Sequence, residues 1–166
     1  MDKLTIDRIQ LLHPKVRKDA GEIYAEICEA LKGRAMCRFA FTLRTIAEQN
    51  KLFAQGRTAP GKIVTNAKGG LSYHNYGLAI DIVLIVDTNG DGKYDTAVWD
   101  TRSDFDGDGK ADWMEVVNIF KQHGWTWGSD WKFSDPPHFE KTFGYSVRQL
   151  LALHNTGKTR NGYVII

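Results

Sequence analysis

Apolar residues recur at three- and four-residue intervals from Val16 through Ala20, Ile23 and Ile27 to Leu31, with Pro14 ahead of them and Gly33 behind. This period predicts an amphipathic helix complete with start and stop signals. The period then changes to two. Cys37, Phe39, Phe41 and Leu43 alternate with Arg38, Ala40 and Thr42, which predicts a strand with one buried face. Thr45 and Glu48 form a capping-box pattern, Ile46 and Phe53 supply an apolar stripe, and Gly56 ends it. A second helix of about ten residues is expected there, with Arg44 at the strand-to-helix junction.

From Arg57 to Tyr76 the chain is rich in Gly, Asn, Ser and Lys and predicts a long loop, which in a compact domain is usually functional. Leu78 to Val86 is a nearly continuous apolar run, as expected for a central strand, broken by Asp81. Asp87 to Asp112 is a glycine and aspartate segment, and Trp113 to His123 is helical, stopped by Gly124. Trp125, Trp127, Trp131 and Phe133 lead into Asp135 to Glu140, a turn entering a short strand. Val147 to His154 predicts a helix and Tyr163 to Ile166 a closing strand. No linker divides the 166 residues, so one domain is expected.

Composition narrows the picture. At 42% hydrophobic and 11% aromatic the chain can close a core, which excludes disorder. A net charge of +2, from 22 basic and 20 acidic residues, gives no basic field for nucleic acid. The run from Leu78 to Val86 is too short to span a bilayer, so no membrane segment is expected. The opening MDKLTIDRIQLLHPK has no apolar core of a signal peptide, so synthesis in the cytoplasm without an export signal is expected. Cys28 and Cys37 are expected as buried thiols, because two cysteines are too few for a disulfide scaffold.

Asp81 is the anomaly. Ala79 and Val83 share its strand face by alternation, so its carboxylate is expected to point into apolar surroundings and to need a cation, dense hydrogen bonding or a metal. His74 is a candidate partner, and a structural Asp capping a loop is the plain alternative. His138 follows Asp135 by three residues, with two prolines fixing the backbone between them. Two histidines and one aspartate make a three-ligand set that leaves a fourth position open, as catalytic zinc requires. Asp135 is then a spare carboxylate able to take a proton from attacking water and return it to a leaving amine. Glu140 could fill that role or support a ligand instead.

These residues resemble a known family. Ser72, His74, Gly77, Ala79 and Asp81 fit an SxHxxGxAxD signature, and Asp135-Pro136-Pro137-His138-Phe139-Glu140 fits the second metal motif of the D-Ala-D-Ala carboxypeptidase and VanY/VanX-like zinc peptidases, peptidase family M15. Within it, Arg44, Glu48, Gln49, Phe53, Gly56, Arg57 and Thr58 resemble a segment of the L-alanyl-D-glutamate endopeptidases found as phage endolysins and bacterial cell-wall enzymes. Trp127-Gly128-Ser129-Asp130-Trp131 resembles their Trp-Gly-Gly-Asp-Trp, with Ser129 as a departure of little expected consequence. The resemblance implies an α+β fold, a small antiparallel sheet with helices packed on it and the zinc site on the sheet, of the hedgehog and D-Ala-D-Ala peptidase type. It implies His74, Asp81 and His138 as zinc ligands, Asp135 as general base and Arg44 as a cation near the substrate carbonyl. Ser72, Asn66, Gln49 and Trp131 are the expected substrate contacts, with loop capping as the plain alternative for Ser72 and Asn66. The implied substrate is the peptidoglycan stem peptide, and the implied enzyme a monomer acting on the cell wall after host lysis or passage through a holin.

A second metal signal lies in the insertion at about 87–115. From Asp104 to Glu115 carboxylates stand at loop positions 1, 3, 5, 9 and 12, namely Asp104, Asp106, Asp108, Asp112 and Glu115, with Gly109 at position 6. That is the EF-hand calcium template. Asp87 to Asp95 begins the same way but has Val98 at position 12, and reads first as a hairpin turn and second as a weak calcium site. The residues thus support a zinc endopeptidase for peptidoglycan, a D-Ala-D-Ala carboxypeptidase of the same fold, or a non-catalytic calcium-dependent wall-binding module. The intact Asp135 argues against the last.

Overall fold

A computed structural model describes all residues, 1–166. Five helices, α1 (Lys3–Ile9), α2 (Pro14–Ala30), α3 (Ile46–Ala54), α4 (Asp112–Gln122) and α5 (Val147–Asn155), accompany a main sheet of five strands. The strands are β1 (Ala35–Phe41), β2 (Ala79–Val86), β3 (Thr96–Val98), β4 (Thr126–Trp127) and β5 (His138–Glu140), and every pairing is antiparallel. The architecture is the expected α+β one.

β2 is the centre of the sheet. β1 covers one edge, and the other edge is shared, with β5 on Ala79–Asp81 and β3 on Leu84–Val86. Ile80, Ile82 and Leu84 point to the side covered by α2 and α4 and join one hydrophobic core with Phe39, Phe139 and the buried stripe Val16, Ala20, Ile23 and Ile27 of α2. Phe120 of α4 stacks on Phe139 at 4.1 Å between centroids, which seats α4 on the strand that begins at His138. Alternation then puts Asp81 on the opposite face, so its carboxylate faces an open groove rather than the apolar surroundings expected from its neighbours.

β1 departs from its predicted alternation. Phe39 pairs with Ile82 and Phe41 with Asp81, so two residues of β1 oppose one of β2. This bulge takes Phe41 out of the core, leaving it 55% exposed, and buries Thr42 in its place.

Four further differences have local causes. α1 has no apolar stripe that would announce it; Asp2 caps it by accepting from Thr5 N–H, and the same carboxylate pairs with Arg38 of β1. The closing strand forms β7 (Tyr163–Val164) but pairs only with β6 (Thr159–Arg160) in a separate hairpin. That hairpin is tied to the body where the Val164 carbonyl meets the His13 ring at 2.8 Å. Cys28 lies on the outer face of α2 and is exposed, whereas Cys37 is buried as expected. The predicted long loop contains a 3₁₀ turn, Tyr73–Tyr76. Residues 87–95 do form the hairpin connection between β2 and β3.

Candidate metal centre

The 3₁₀ turn exists because Ser72 caps it, accepting from the His74 N–H, while the Asn75 side chain reaches back to the Ser72 N–H. The turn delivers His74 to the open face of β2. Its Nδ1–H donates to the Thr42 carbonyl at 2.7 Å, which fixes the tautomer and leaves Nε2 free. Nε2 is buried, makes no hydrogen bond, and lies 3.2 Å from Asp81 Oδ1. Strand pairing supplies the third group, because His138 of β5 stands directly opposite Asp81. His138 Nδ1 lies 3.0 Å from the same Asp81 oxygen, and its Nε2 is 3.1 Å from Glu140 Oε2.

Two imidazole nitrogens and one carboxylate oxygen therefore converge within 4.8 Å of one another, and each imidazole is oriented through its other nitrogen. This donor set fits a divalent metal, and the donor-free His74 Nε2 is the atom that such an ion would satisfy. Charge is arranged to match. Burial opposes ionisation of Asp81, but the His138 and His74 rings hold its carboxyl well below the usual carboxylate range. Burial likewise opposes charge on His138, yet the Asp81 and Glu140 carboxylates lift its pKa to about 9.

The groove beside these residues has a volume of about 530 Å³ and is lined by Phe41, Arg44, Ser72, Trp99 and Asp135 together with the three converging groups. Arg44 Nη2 lies 3.9 Å from Asp81 Oδ2, and its Nη1 donates to Gln49 Oε1 at 3.1 Å. Asp135 carries a pKa raised from the ordinary carboxylate value, first by loss of solvation and then by the Asp81 charge. Its position is set by the Trp-Gly segment. Trp127 Nε1–H donates to the Pro136 carbonyl at 2.7 Å and Asp135 N–H donates to the Gly128 carbonyl at 3.2 Å. A Cβ on Gly128 would collide with the Asp135 backbone, so glycine is required at that contact.

Of the expected substrate contacts, Ser72 lines the groove and Trp131 packs against His138 with ring centroids 5.3 Å apart. Asn66 lies outside the lining and accepts from Arg57 Nη2. Gln49 is fully buried; its amide donates to the Ala67 carbonyl at 2.9 Å, so it joins Arg44 to the loop across the groove. Thr42, Phe41 and Trp99 were not singled out in the sequence. Trp99 follows β3 in the insertion and is 58% exposed, an exposure that only the folded chain reveals.

Comparison with known proteins places this geometry. The family model described as D-alanyl-D-alanine carboxypeptidase, of the M15 peptidases, matches residues 65–141, the stretch holding all three converging groups. The chain is 45% identical over 130 residues, 78% of its length and 72% of the relative's, to the peptidoglycan L-alanyl-D-glutamate endopeptidase CwlK of Bacillus subtilis (strain 168). The solved structure of the Serratia marcescens L-Ala D-Glu endopeptidase ChiX is 18% identical and superposes over 86% of this chain and 90% of that one with a TM-score of 0.54, a likeness of fold. With that extent of identity, the chain belongs to the M15 family of metallopeptidases.

Proposed function

We propose that this chain is a zinc-dependent endopeptidase that hydrolyses the L-alanyl-D-glutamate bond of the peptidoglycan stem peptide, with His74, Asp81 and His138 as the zinc ligands. The observation that carries the reading is the buried, donor-free His74 Nε2 turned toward the same point as Asp81 Oδ1 and His138 Nδ1, at the wall of an open groove. Two imidazoles and one carboxylate suit zinc, and three ligands leave a coordination position for chemistry. Zinc held there supplies Lewis acidity toward the scissile carbonyl and toward a water nucleophile.

The remaining work falls to the chain's own residues. Asp135, beside the ligands but oriented by Gly128 and Trp127, takes the proton of the attacking water and passes it to the departing amine. Its raised pKa suits a group that must both accept and return a proton. Arg44, held by Gln49, offers its guanidinium to the oxyanion that forms at the scissile carbonyl. Ser72, Phe41, Trp99 and Trp131 border the space a peptide strand would occupy. In this reading residues 1–166 act as one peptidase domain, as a monomer, on the cell wall. No helix is long and apolar enough to cross a membrane.

The choice of bond rests on the likeness to CwlK over most of the chain. A D-Ala-D-Ala carboxypeptidase is the second reading, favoured by the description of the family model that matches residues 65–141. Mass spectrometry of digested peptidoglycan separates the two. A new amino terminus on D-glutamate is expected, and release of free D-alanine alone would give the second reading instead.

A further inference from the structure

Two loops of the insertion, beginning at Asp87 and at Asp104, repeat one another seventeen residues apart. In the first, Asp87 accepts from Gly90, Asp91 and Gly92 N–H groups, Asn89 from Asp91 N–H, and Asp91 from Lys93 N–H. In the second, Asp104 accepts from Gly107 and Gly109, Asp106 from Asp108, and Asp108 from Lys110. The turns themselves identify no ligand, because the first loop forms them with its buried Asp87 fully supplied with donors. The loops part company at positions 9 and 12. There the first has Asp95, just before β3, and Val98, the last residue of β3. The second has Asp112 and Glu115, in the first turn of α4.

Asp112 is entirely buried, and its Oδ2 has no hydrogen-bond partner. Its other oxygen accepts from Phe105 N–H at 3.1 Å, which points the carboxylate back into the loop between Asp104 and Asp106. Glu115 Oε2 is also buried without a partner. Asp104, Asp106 and Asp108 bring carboxylate oxygens within 4.8 Å of one another beside them. The Lys110 ammonium lies 3.1 Å from Asp108 and 3.7 Å from Glu115, a partial offset on a side chain that is 67% exposed. Two buried carboxylate oxygens without donors, next to three more carboxylates, are costly unless a cation joins them.

We propose that Asp104, Asp106, Asp108, Asp112 and Glu115, with the Lys110 carbonyl at position 7, form a calcium site. With Glu115 bidentate the set offers about seven oxygens, which suits calcium rather than the smaller, six-coordinate magnesium. Burial first, then the neighbouring aspartates, raises the pKa of both Asp112 and Glu115, the strain that a divalent cation relieves. The loop is also anchored to the body, since Asp106 Oδ2 accepts from Lys32 N–H at 3.1 Å in the turn after α2. The first loop rests on the same turn, through the Asp87 N–H to the Arg34 carbonyl at 2.8 Å. Trp99 of the groove stands on the chain between the two loops.

The test is titration of the zinc-loaded full chain with calcium chloride, followed by calorimetry and thermal melting, with magnesium chloride in parallel. One calcium per chain is expected, with a rise in Tm of several degrees at saturation. Glu115→Gln and Asp108→Asn should each lose the rise while zinc content stays constant, and Asp91→Asn in the first loop should keep it. No heat and no shift with calcium would overturn the proposal. So would binding that survives in both second-loop variants, or magnesium matching calcium at equal concentration. Zinc content and peptide cleavage are read separately, so failure here is distinguishable from failure of the peptidase assignment.

Discussion

Glu140 stands two residues beyond His138 on β5, on the same face of the strand, and meets the imidazole Nε2 at 3.1 Å. The carboxylate thereby turns Nδ1 toward Asp81 and raises the basicity of the ring as a ligand. Glu140→Gln should weaken zinc binding by about 10–100-fold, measured by competition with a chelator, with activity returning at saturating zinc. An unchanged affinity would mean that the pair only fills space.

Asp135 has a different task and should give a different signature. Asp135→Asn should retain zinc and melt close to the wild-type temperature, but turn over on the order of a hundredfold more slowly or worse. Should Asp135→Asn remain active while Glu140→Gln is inactive even at saturating zinc, the base is Glu140.

Gln49 acts through Arg44. Gln49→Leu removes the acceptor of the guanidinium and the donor to the Ala67 carbonyl, so it should cost about 1–3 kcal/mol of stability. A freed Arg44 should then lower kcat more than it raises KM, because the oxyanion contact matters at the transition state. A loss of stability with kcat intact would assign Gln49 a purely structural role.

A pH dependence of stability is expected at the back of the molecule. Burial opposes charge on His123, but Asp19 at 2.7 Å and Glu26 at 2.9 Å raise its pKa above the ordinary value. The stabilisation is therefore complete below the unfolded value of about 6.5 and disappears as pH rises through the folded one. His123→Gln should lower Tm most at about pH 5.5, with the loss shrinking as pH rises through the folded-state value of the ring. A loss that does not change with pH would show that the ring contributes packing alone.

The parts legible in the sequence are those governed by local rules. The spacing of Val16, Ala20, Ile23 and Ile27 defines α2, Thr45 and Glu48 do form the capping box of α3, and the two metal motifs converge on one point. What stayed hidden depends on distant partners. Gln49 reads in the sequence as a substrate contact, and is instead buried because residues 65–67 fold over it. α1 buries just Thr5 and Ile9 while Leu4 and Ile6 stay exposed, so no helical stripe announces it. The apolar expectation for Asp81 followed from Ala79 and Val83, but the helices cover the other face.

The extra residue in β1 shifts the phase of a two-residue wave. Upstream of it the odd positions Ala35, Cys37 and Phe39 face inward; downstream the even position Thr42 does, which lets Phe41 wall the groove while the next carbonyl locks the His74 tautomer. The bulge between Phe39 and Phe41 is therefore a stronger constraint than the identities of the residues that form it. Conservative replacements at Ala40 or Phe41 change a surface. Straightening of the strand with all its residues kept would turn the Phe41 ring toward the core and Thr42 outward, and carry the Thr42 carbonyl away from the histidine it orients.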